Sequence, residues 1–168
     1  EKTKTFDVPL FDKPELEYVI TLPKDWQMEN VADFLPQADN LNTQKILEDV
    51  TRFKSPFIGT SQLTTTIQIM QLDHEISARD WLKNHIIVSG YAPDGEMTHN
   101  GTSRASAAFF YTLNGVSFYS YATAQITGNH ILVARFDIPA NMKEPLNFFQ
   151  KKAIDSFKIL YPKDDPIE

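Results

Sequence analysis

The residues best suited to acid–base chemistry or metal binding are the four histidines and the carboxylates beside them. One compact group exists, the Asp-His-Glu run at residues 73–75, because His85, His99 and His130 lie far away in the sequence. Consecutive side chains at a strand end point in opposite directions, so this run needs ligands from elsewhere to hold a metal. Two histidines four residues apart on one helix, the zinc-protease spacing, do not occur. We predict no metal site.

Nucleophilic catalysis has no recognisable motif either. The Gly-x-Ser-x-Gly turn is missing, and Ser61 lies in a segment that indicates an exposed turn. The chain has no cysteine, which excludes thiol nucleophiles, disulfides and thiolate metal sites. Its six glycines are isolated at turns, so no phosphate-binding loop is predicted. We predict a non-enzymatic protein without a cofactor; the open alternative is a hydrolase or metal-dependent enzyme using His74 or His130.

The most suggestive cluster is aromatic and lies in residues 109–111 and 118–121. Alternate residues of a strand face opposite sides of a sheet, so Tyr119 and Tyr121 share a face while Phe118 lies on the other. In one interpretation helices cover both faces and the rings are core. In the other, the tyrosine side is partly open and forms a cleft, a role that suits an apolar ring with a polar tip.

The candidate partner- or ligand-binding residues join this cluster to the turn-rich loop of residues 91–101, which contains Asp94-Gly95 and Asn100-Gly101. They are Tyr91, Asp94, Tyr111, Tyr119 and Tyr121.

Composition and charge indicate the number of domains and the classes of partner that the chain can have. The chain has 168 residues, 42% of them apolar, which is the size and composition of one folded domain. Its net charge of −6 and scattered basic residues argue against nucleic acid as a partner. The densest basic group is typical of a solvated helix face, because it alternates with Glu144 and Asp155; its members are Lys143, Lys151, Lys152 and Lys158. No apolar run is long enough to span a bilayer.

The first half of the chain predicts few regular elements. Residues 1–16 are polar and interrupted by prolines, which predicts an extended, loosely held arm. Residues 17–22 alternate as a strand that Pro23 ends. Residues 43–53 predict a short amphipathic helix with a cap at Asn42 or Thr43. Residues 64–72 predict a central strand, apolar on both faces.

The second half is more sharply patterned. Residues 77–89 predict a helix capped by Ser77 and closed by Gly90. Two hairpins follow, with turns at residues 114–115 and 128–129. A helix opens near Pro145, and residues 156–160 form a closing strand. We predict one domain over residues 17–162, followed by an acidic tail at residues 163–168.

Three segments carry a resemblance to a known family. They are the strand and turn of residues 18–26 (YVITLPKDW), the strand and helix of residues 66–72 and 77–89, and the ending at residues 153–159 (AIDSFKI). In this order they resemble the PsbP-like superfamily of PsbP, the Ran-binding Mog protein and DcrB-type bacterial lipoproteins. The resemblance implies an α+β fold, an α-β-α sandwich with a central antiparallel sheet flanked by helices. It assigns no functional residue.

The resemblance also implies a function, because members of this superfamily are mainly non-enzymatic binding or assembly subunits. We expect a non-catalytic accessory subunit of the bacterial cell envelope that recognises a protein partner by its surface. The chain does not begin with Met, and we interpret it as an exported, periplasmic protein or lipoprotein whose leader and any lipid anchor precede residue 1.

A second hypothesis is a carrier of a small apolar ligand, held between sheet and helix. Its pocket would be lined by Phe109, Phe118, Tyr121 and Phe149. Such a carrier should enclose an apolar cavity of several hundred Å³, on the order of the volumes of known ligand sites.

Overall fold

The computed structural model describes residues 2–10, 12–31 and 46–163. The described helices are α1 (Ala78–Ser89) and α2 (Lys143–Asp155), with short 3-10 turns at Pro14–Leu16 and Ala140–Met142. The described strands are β1 (Thr3–Val8), β2 (Tyr18–Pro23), β3 (Gln27–Asn30), β4 (Ile46–Lys54), β5 (Thr64–Gln71), β6 (Ala92–Pro93), β7 (Thr98–Asn100), β8 (Arg104–Leu113), β9 (Val116–Thr127), β10 (His130–Pro139) and β11 (Lys158–Ile159).

These strands form two antiparallel sheets. The large sheet has the order β3-β4-β5-β10-β9-β8-β6, with β7 also paired to β8. The small sheet has the order β1-β2-β11. Helix α1 packs on one face of the large sheet, while α2 and the small sheet share the other face. The predicted α+β architecture, a central antiparallel sheet between helices, is confirmed.

Alternation along the long strands produces two cores. In β10, Leu132, Ala134 and Phe136 pack toward α2 and the small sheet, whereas Ile131 and Val133 pack toward α1. The α1 side contains small residues that let Trp81 and Leu82 of the helix approach the sheet closely; they are Ala105, Ala107, Ala122 and Ala124. Both faces of the sheet are therefore filled by side chains in its central region.

The helix predicted over residues 43–53 is wrong where the structure describes this segment, because residues 46–54 form β4. The proposed cap at residues 42–43 lies outside the described residues. A β-bulge explains the error: the register with β5 shifts between Leu47 and Asp49. The extra residue breaks the two-residue alternation and leaves the apolar positions 46, 47 and 50 at helix-like spacing.

The N-terminal segment is also more ordered than the loosely held arm predicted. Residues 3–8 form β1, which pairs with the whole of β2, from Thr3 opposite Pro23 to Val8 opposite Tyr18. Phe6 and Val8 are buried, and the Phe6 ring lies 5.1 Å from that of Phe53 in an edge-on contact. This strand is thus part of the small sheet.

The second half follows the sequence prediction closely. Ser77 caps α1 by accepting a hydrogen bond from the Asp80 amide at 3.0 Å, and Gly90 ends it in the left-handed conformation. Asn114 and Gly115 both have positive φ, 54° and 80°, as a two-residue hairpin turn requires. The closing strand is shorter than predicted, since β11 pairs only Lys158 and Ile159 with β2.

Candidate functional site

The five candidate residues do not share one surface. Tyr91 and Tyr111 pack against the α1 core, whereas Tyr119 and Tyr121 belong to the core beneath α2. Asp94 joins the second group, because its carboxylate contacts Tyr119. The structure therefore divides them into two clusters on opposite faces of the β8–β9 hairpin.

The first cluster centres on Tyr119. Its hydroxyl donates a hydrogen bond to Asp94 Oδ2 at 3.1 Å, and Lys143 Nζ donates to the same oxygen at 3.1 Å. Lys143 Nζ also lies 4.9 Å from the centre of the Tyr119 ring, and Phe110 packs on that ring at 4.9 Å. Asp94, which follows β6, and Lys143, the first residue of α2, therefore both contact the Tyr119 side chain.

Tyr121 repeats this arrangement farther along α2. Its hydroxyl donates to Asp155 Oδ1 at 3.1 Å, and Lys151 Nζ lies 5.1 Å from the ring centre. We call the combined surface the tyrosine face; it consists of Asp94, Phe110, Tyr119, Tyr121, Lys143, Lys151 and Asp155.

The tyrosine face is a shallow rim and not a deep cleft. The Tyr119 and Tyr121 side chains are 6% and 8% exposed, so their rings fill core. The neighbouring β8 residues on the same side, Ser106, Ala108 and Phe110, are half-buried, and Lys151 is exposed. The core interpretation therefore holds for the rings, while the hydroxyls and lysines form a polar edge around a partly open apolar floor.

Helix α2 is held over this floor by a buried amide. Gln150 is fully buried, and its Nε2 donates to the carbonyl oxygens of Phe136 and Tyr119 at 2.8 and 3.3 Å. The sequence did not single out this residue, and Lys143 and Lys151 were predicted to lie on a solvated helix face. A glutamine among Leu146, Phe149 and Ala153 on the apolar side of α2 is the signal that could have indicated it.

The second cluster centres on Arg135, which the sequence analysis also missed. Its guanidinium lies 5.1, 5.2 and 4.9 Å from the ring centres of Tyr91, Phe109 and Tyr111. It donates to the Tyr91 hydroxyl at 3.2 Å and to Asp137 at 3.0 Å. The sequence does contain a signal for this cluster. Arg135 lies two positions before Asp137 in an apolar strand, so the two side chains must share one inward face of the sheet.

One phenol in each cluster, Tyr111 and Tyr119, has a raised pKa. Burial, together with the negative charge of Asp137, raises the pKa of Tyr111 to about 12. Burial and the hydrogen bond to Asp94 raise the pKa of Tyr119 to about 12. These hydroxyls therefore act as hydrogen-bond donors at neutral pH and not as general bases.

The pocket predicted for a ligand carrier does not form. Phe109 lies in the α1 core, and Phe118 belongs to the same side because it stacks on Tyr111 at 5.3 Å. Tyr121 and Phe149 lie beneath α2. The described residues do contain a groove of about 530 Å³, but its lining is mostly polar; it comprises Pro9, Leu10, Asp12, Lys13, Asn30, Glu48 and Asp49.

The two histidines considered for catalysis, His74 and His130, each contact one carboxylate. His74 Nδ1 lies 2.7 Å from Asp73 Oδ1 on the surface. His130 Nε2 lies 3.1 Å from Glu48 Oε1 in a largely buried contact. Within residues 2–10, 12–31 and 46–163, no three metal-binding side chains come together. No described helix is long and apolar enough to cross a bilayer.

No family model and no curated protein matches the sequence. Solved structures do match the fold. Cyanobacterial PsbP (CyanoP) from Synechocystis sp. PCC 6803 is similar at a TM-score of 0.59 and 11% identity, over 94% of this chain and 92% of that one. LpqN, described as involved in cell envelope biogenesis of Mycobacterium tuberculosis, gives a TM-score of 0.55 and 13% identity, over 94% and 91%.

A structure from Bacteroides thetaiotaomicron VPI-5482 is similar at a TM-score of 0.50 and 15% identity. All of this chain, but only 51% of that one, is covered, so the chain spans about half its length. At these identities the likeness concerns the fold and not the activity. Two helices packed on opposite faces of a large antiparallel sheet, with an N-terminal strand pair beside the second helix, give this chain a PsbP-like fold.

Proposed function

We propose that this chain is a non-catalytic accessory protein of the bacterial cell envelope that recognises a protein partner through the tyrosine face. Two observations support the class of function: the PsbP-like fold, and the similarity to LpqN, which is described as involved in cell envelope biogenesis. The extracytoplasmic location belongs to the same proposal.

The observation that carries the choice of surface is the composition of the tyrosine face. Phe110 is half-buried and offers apolar area, and Lys143 lies 5.4 Å from its ring centre beside Asp94. Lys151 and Asp155 lie at the neighbouring Tyr121. Aromatic residues surrounded by a polar rim are enriched at the centres of protein interfaces. The face thus combines a small apolar contact with charges of both signs that can fix a partner's orientation.

The Arg135 cluster is less suited to this role. Its cation is already bonded to Asp137 and the Tyr91 hydroxyl, and its side chain is only 18% exposed. A partner would have to displace these bonds before it could use the guanidinium. We therefore assign the cluster to stability and the tyrosine face to recognition.

The test replaces one half-buried and one exposed member of the tyrosine face, since replacing a fully buried ring risks unfolding. The variant Phe110→Ala/Lys151→Ala keeps both tyrosines. Its matched control, Phe148→Ala/Lys83→Ala, removes an equally large aromatic side chain that is 77% exposed and a lysine that is also exposed. Partners are captured from envelope extracts by crosslinking, and the affinity of a purified partner is then measured for each chain.

We expect one specific partner to bind the wild type and the control alike and to bind Phe110→Ala/Lys151→Ala at least about tenfold more weakly, the size of a typical hot-spot loss. Thermal unfolding should show that all three chains are folded. Equal binding by all three folded chains would contradict the assignment of this face.

A further inference from the structure

Two Asn-Gly dipeptides lie in exposed turns, and the proposed function uses neither of them. Asn100-Gly101 begins the turn between β7 and β8, and Asn114-Gly115 forms the turn between β8 and β9; all four residues are exposed. An asparagine before glycine can lose its side-chain amide, because glycine has no Cβ to keep its backbone nitrogen away from the asparagine side chain. The two sites have the same dipeptide, so a difference between them comes from the folded structure.

The reaction closes a ring between the asparagine side chain and the glycine nitrogen. The glycine amide loses its proton to hydroxide, and its nitrogen attacks Cγ of the asparagine. The new N–Cγ bond forms, the Cγ–Nδ2 bond breaks, and Nδ2 leaves as ammonia after taking a proton from water, which restores the hydroxide. Water then adds to one of the two ring carbonyls, and the ring opens to aspartate or to isoaspartate.

The backbone conformation of Asn114 opposes this ring closure. The ring requires Cβ and the next backbone nitrogen to be nearly eclipsed about the Cα–C bond. At Asn114 φ is 54° and at Gly115 it is 80°, the left-handed conformation of a type I′ turn. At the ψ typical of that region, the two atoms are roughly 165° apart about the bond, which is almost the opposite arrangement. The tight turn therefore protects Asn114.

The backbone of Asn100 is closer to the reactive arrangement. This residue ends strand β7, where it pairs with Arg104 and has an extended backbone. At the ψ typical of a strand, Cβ and the next nitrogen are roughly 105° apart, so a smaller rotation closes the ring.

The surroundings of Asn100 also permit that rotation. Strand β7 has three residues, all exposed, and within the described residues it pairs with β8 alone. The chain after Gly101 is fixed, because the Thr102 carbonyl oxygen accepts a hydrogen bond from the Ala78 amide at 2.8 Å. The rotation therefore moves the short edge strand, which opens at a small cost in free energy. At Asn114 the same rotation would undo the turn that joins two long paired strands.

We propose that Asn100 is a site of spontaneous deamidation in the folded protein and reacts faster than Asn114. The product at residue 100, aspartate or isoaspartate, adds one negative charge. Isoaspartate also adds one atom to the backbone between β7 and the Thr102 carbonyl that is bonded to the start of α1. The converted chain therefore loses the pairing of β7 and keeps the β8–β9 hairpin.

Ageing of the full chain in mildly alkaline buffer, followed by peptide mass spectrometry, tests the proposal. Trypsin places the two sites in different peptides, because Arg104 lies between them. Conversion replaces an amino group by a hydroxyl group, and in the folded chain this mass change should appear at Asn100 at least about tenfold faster than at Asn114. Fragment ions assign the converted residue within each peptide, and anion-exchange chromatography detects the added charge.

Two controls separate the effect of the fold from that of the dipeptide. In concentrated urea both sites should react at similar rates, because the dipeptide is the same and the turns are lost. The variant Asn100→Gln should show no conversion at residue 100, because glutamine has to close a larger ring that forms more slowly. Its thermal unfolding should match that of the wild type, since the side chain is exposed.

Three results would overturn the proposal. The first is no conversion at Asn100 in the folded chain over a period in which the chain in urea reacts. The second is conversion at Asn114 as fast as at Asn100 in the folded chain. The third is the same ratio of the two rates in urea as in buffer, which would show that the fold has no part in the difference.

Discussion

At the scale of single residues, Tyr111 and Tyr119 lie on opposite faces of the β8–β9 hairpin and contact different cores. Tyr111 lies on the α1 side beside Arg135, and Tyr119 lies under α2 with its hydroxyl on Asp94. In both places burial and a nearby carboxylate favour the protonated phenol. Ionising either phenol therefore destabilises the folded chain.

This predicts a loss of stability in strong alkali. The pKa of Tyr111 and of Tyr119 is about 12 in the folded chain, against about 10 for an unfolded tyrosine. Above pH 10 the unfolded chain releases these protons first, so its proton number falls below that of the native state and the free energy of unfolding decreases. The stabilisation is complete below pH 10 and is lost progressively up to pH 12. Urea unfolding between pH 8 and pH 11 measures it.

The control uses Tyr111→Phe, which cannot ionise at this position. Its free energy of unfolding should decline less steeply above pH 10 than that of the wild type. A native chain whose tyrosine absorbance at 295 nm titrates entirely near pH 10 while it remains folded would contradict the prediction.

At the scale of elements, the position of α2 decides whether the tyrosine face exists. Gln150 bonds the helix to two strand carbonyls of the large sheet, and Ser156 bonds its C-terminal end to the small sheet. Ser156 Oγ accepts a hydrogen bond from the Thr21 amide at 2.8 Å and donates to the Ala153 carbonyl. The helix is thus fixed to both sheets, and Lys143 and Lys151 lie over the tyrosines as a result.

Replacing Ser156 by alanine should destabilise the chain. The Thr21 amide would lose its partner in a partly buried position, which costs about 1–2 kcal/mol of the free energy of unfolding. Urea unfolding measures this change, and Ser89→Ala at the exposed end of α1 is the control that should stay within about 0.5 kcal/mol of wild type. If the two variants were equally stable, the Ser156 bond would have no role in holding α2.

At the scale of the whole molecule, the two sheets enclose one continuous core beneath α2. Residues from β1, β2, β4, β10 and the segment after α2 meet there; they include Phe6, Tyr18, Phe53, Phe136 and Phe157. The N-terminal strand is thus a structural part of the domain, although only one of its edges is paired within the described residues.

Phe6→Ala tests the contribution of that strand. The variant removes the ring that packs edge-on against Phe53 and should lower the free energy of unfolding by about 3 kcal/mol. Chemical denaturation measures the change, with Met28→Ala, 51% exposed, as a control expected near wild type. A loosely held arm would instead predict almost no change for either variant.

Local patterns predicted most of the second half of the chain. Ser77 and Gly90 mark the ends of α1, and Asn114-Gly115 marks a hairpin turn, because caps and tight turns are set by neighbouring residues. The segment at residues 46–54 was predicted wrongly because a bulge, which depends on the partner strand, disturbs the alternation. Around the candidate site, the sequence drew attention to the tyrosines but not to Arg135 and Gln150, which contact them in the structure.

The sequence by itself determined the order of elements in the second half of the chain, the α+β class and the absence of cysteine chemistry, since these depend on composition and short-range periodicity. Only the tertiary structure decided which tyrosines share a surface. It placed Tyr91 and Tyr111 on one face and Tyr119 and Tyr121 on the other, because strand pairing sets the register between segments far apart in the chain. It also brought Arg135 to the rings of Tyr91 and Tyr111, Asp94 to the Tyr119 hydroxyl and Gln150 to the Tyr119 carbonyl oxygen, through contacts between segments far apart in the chain.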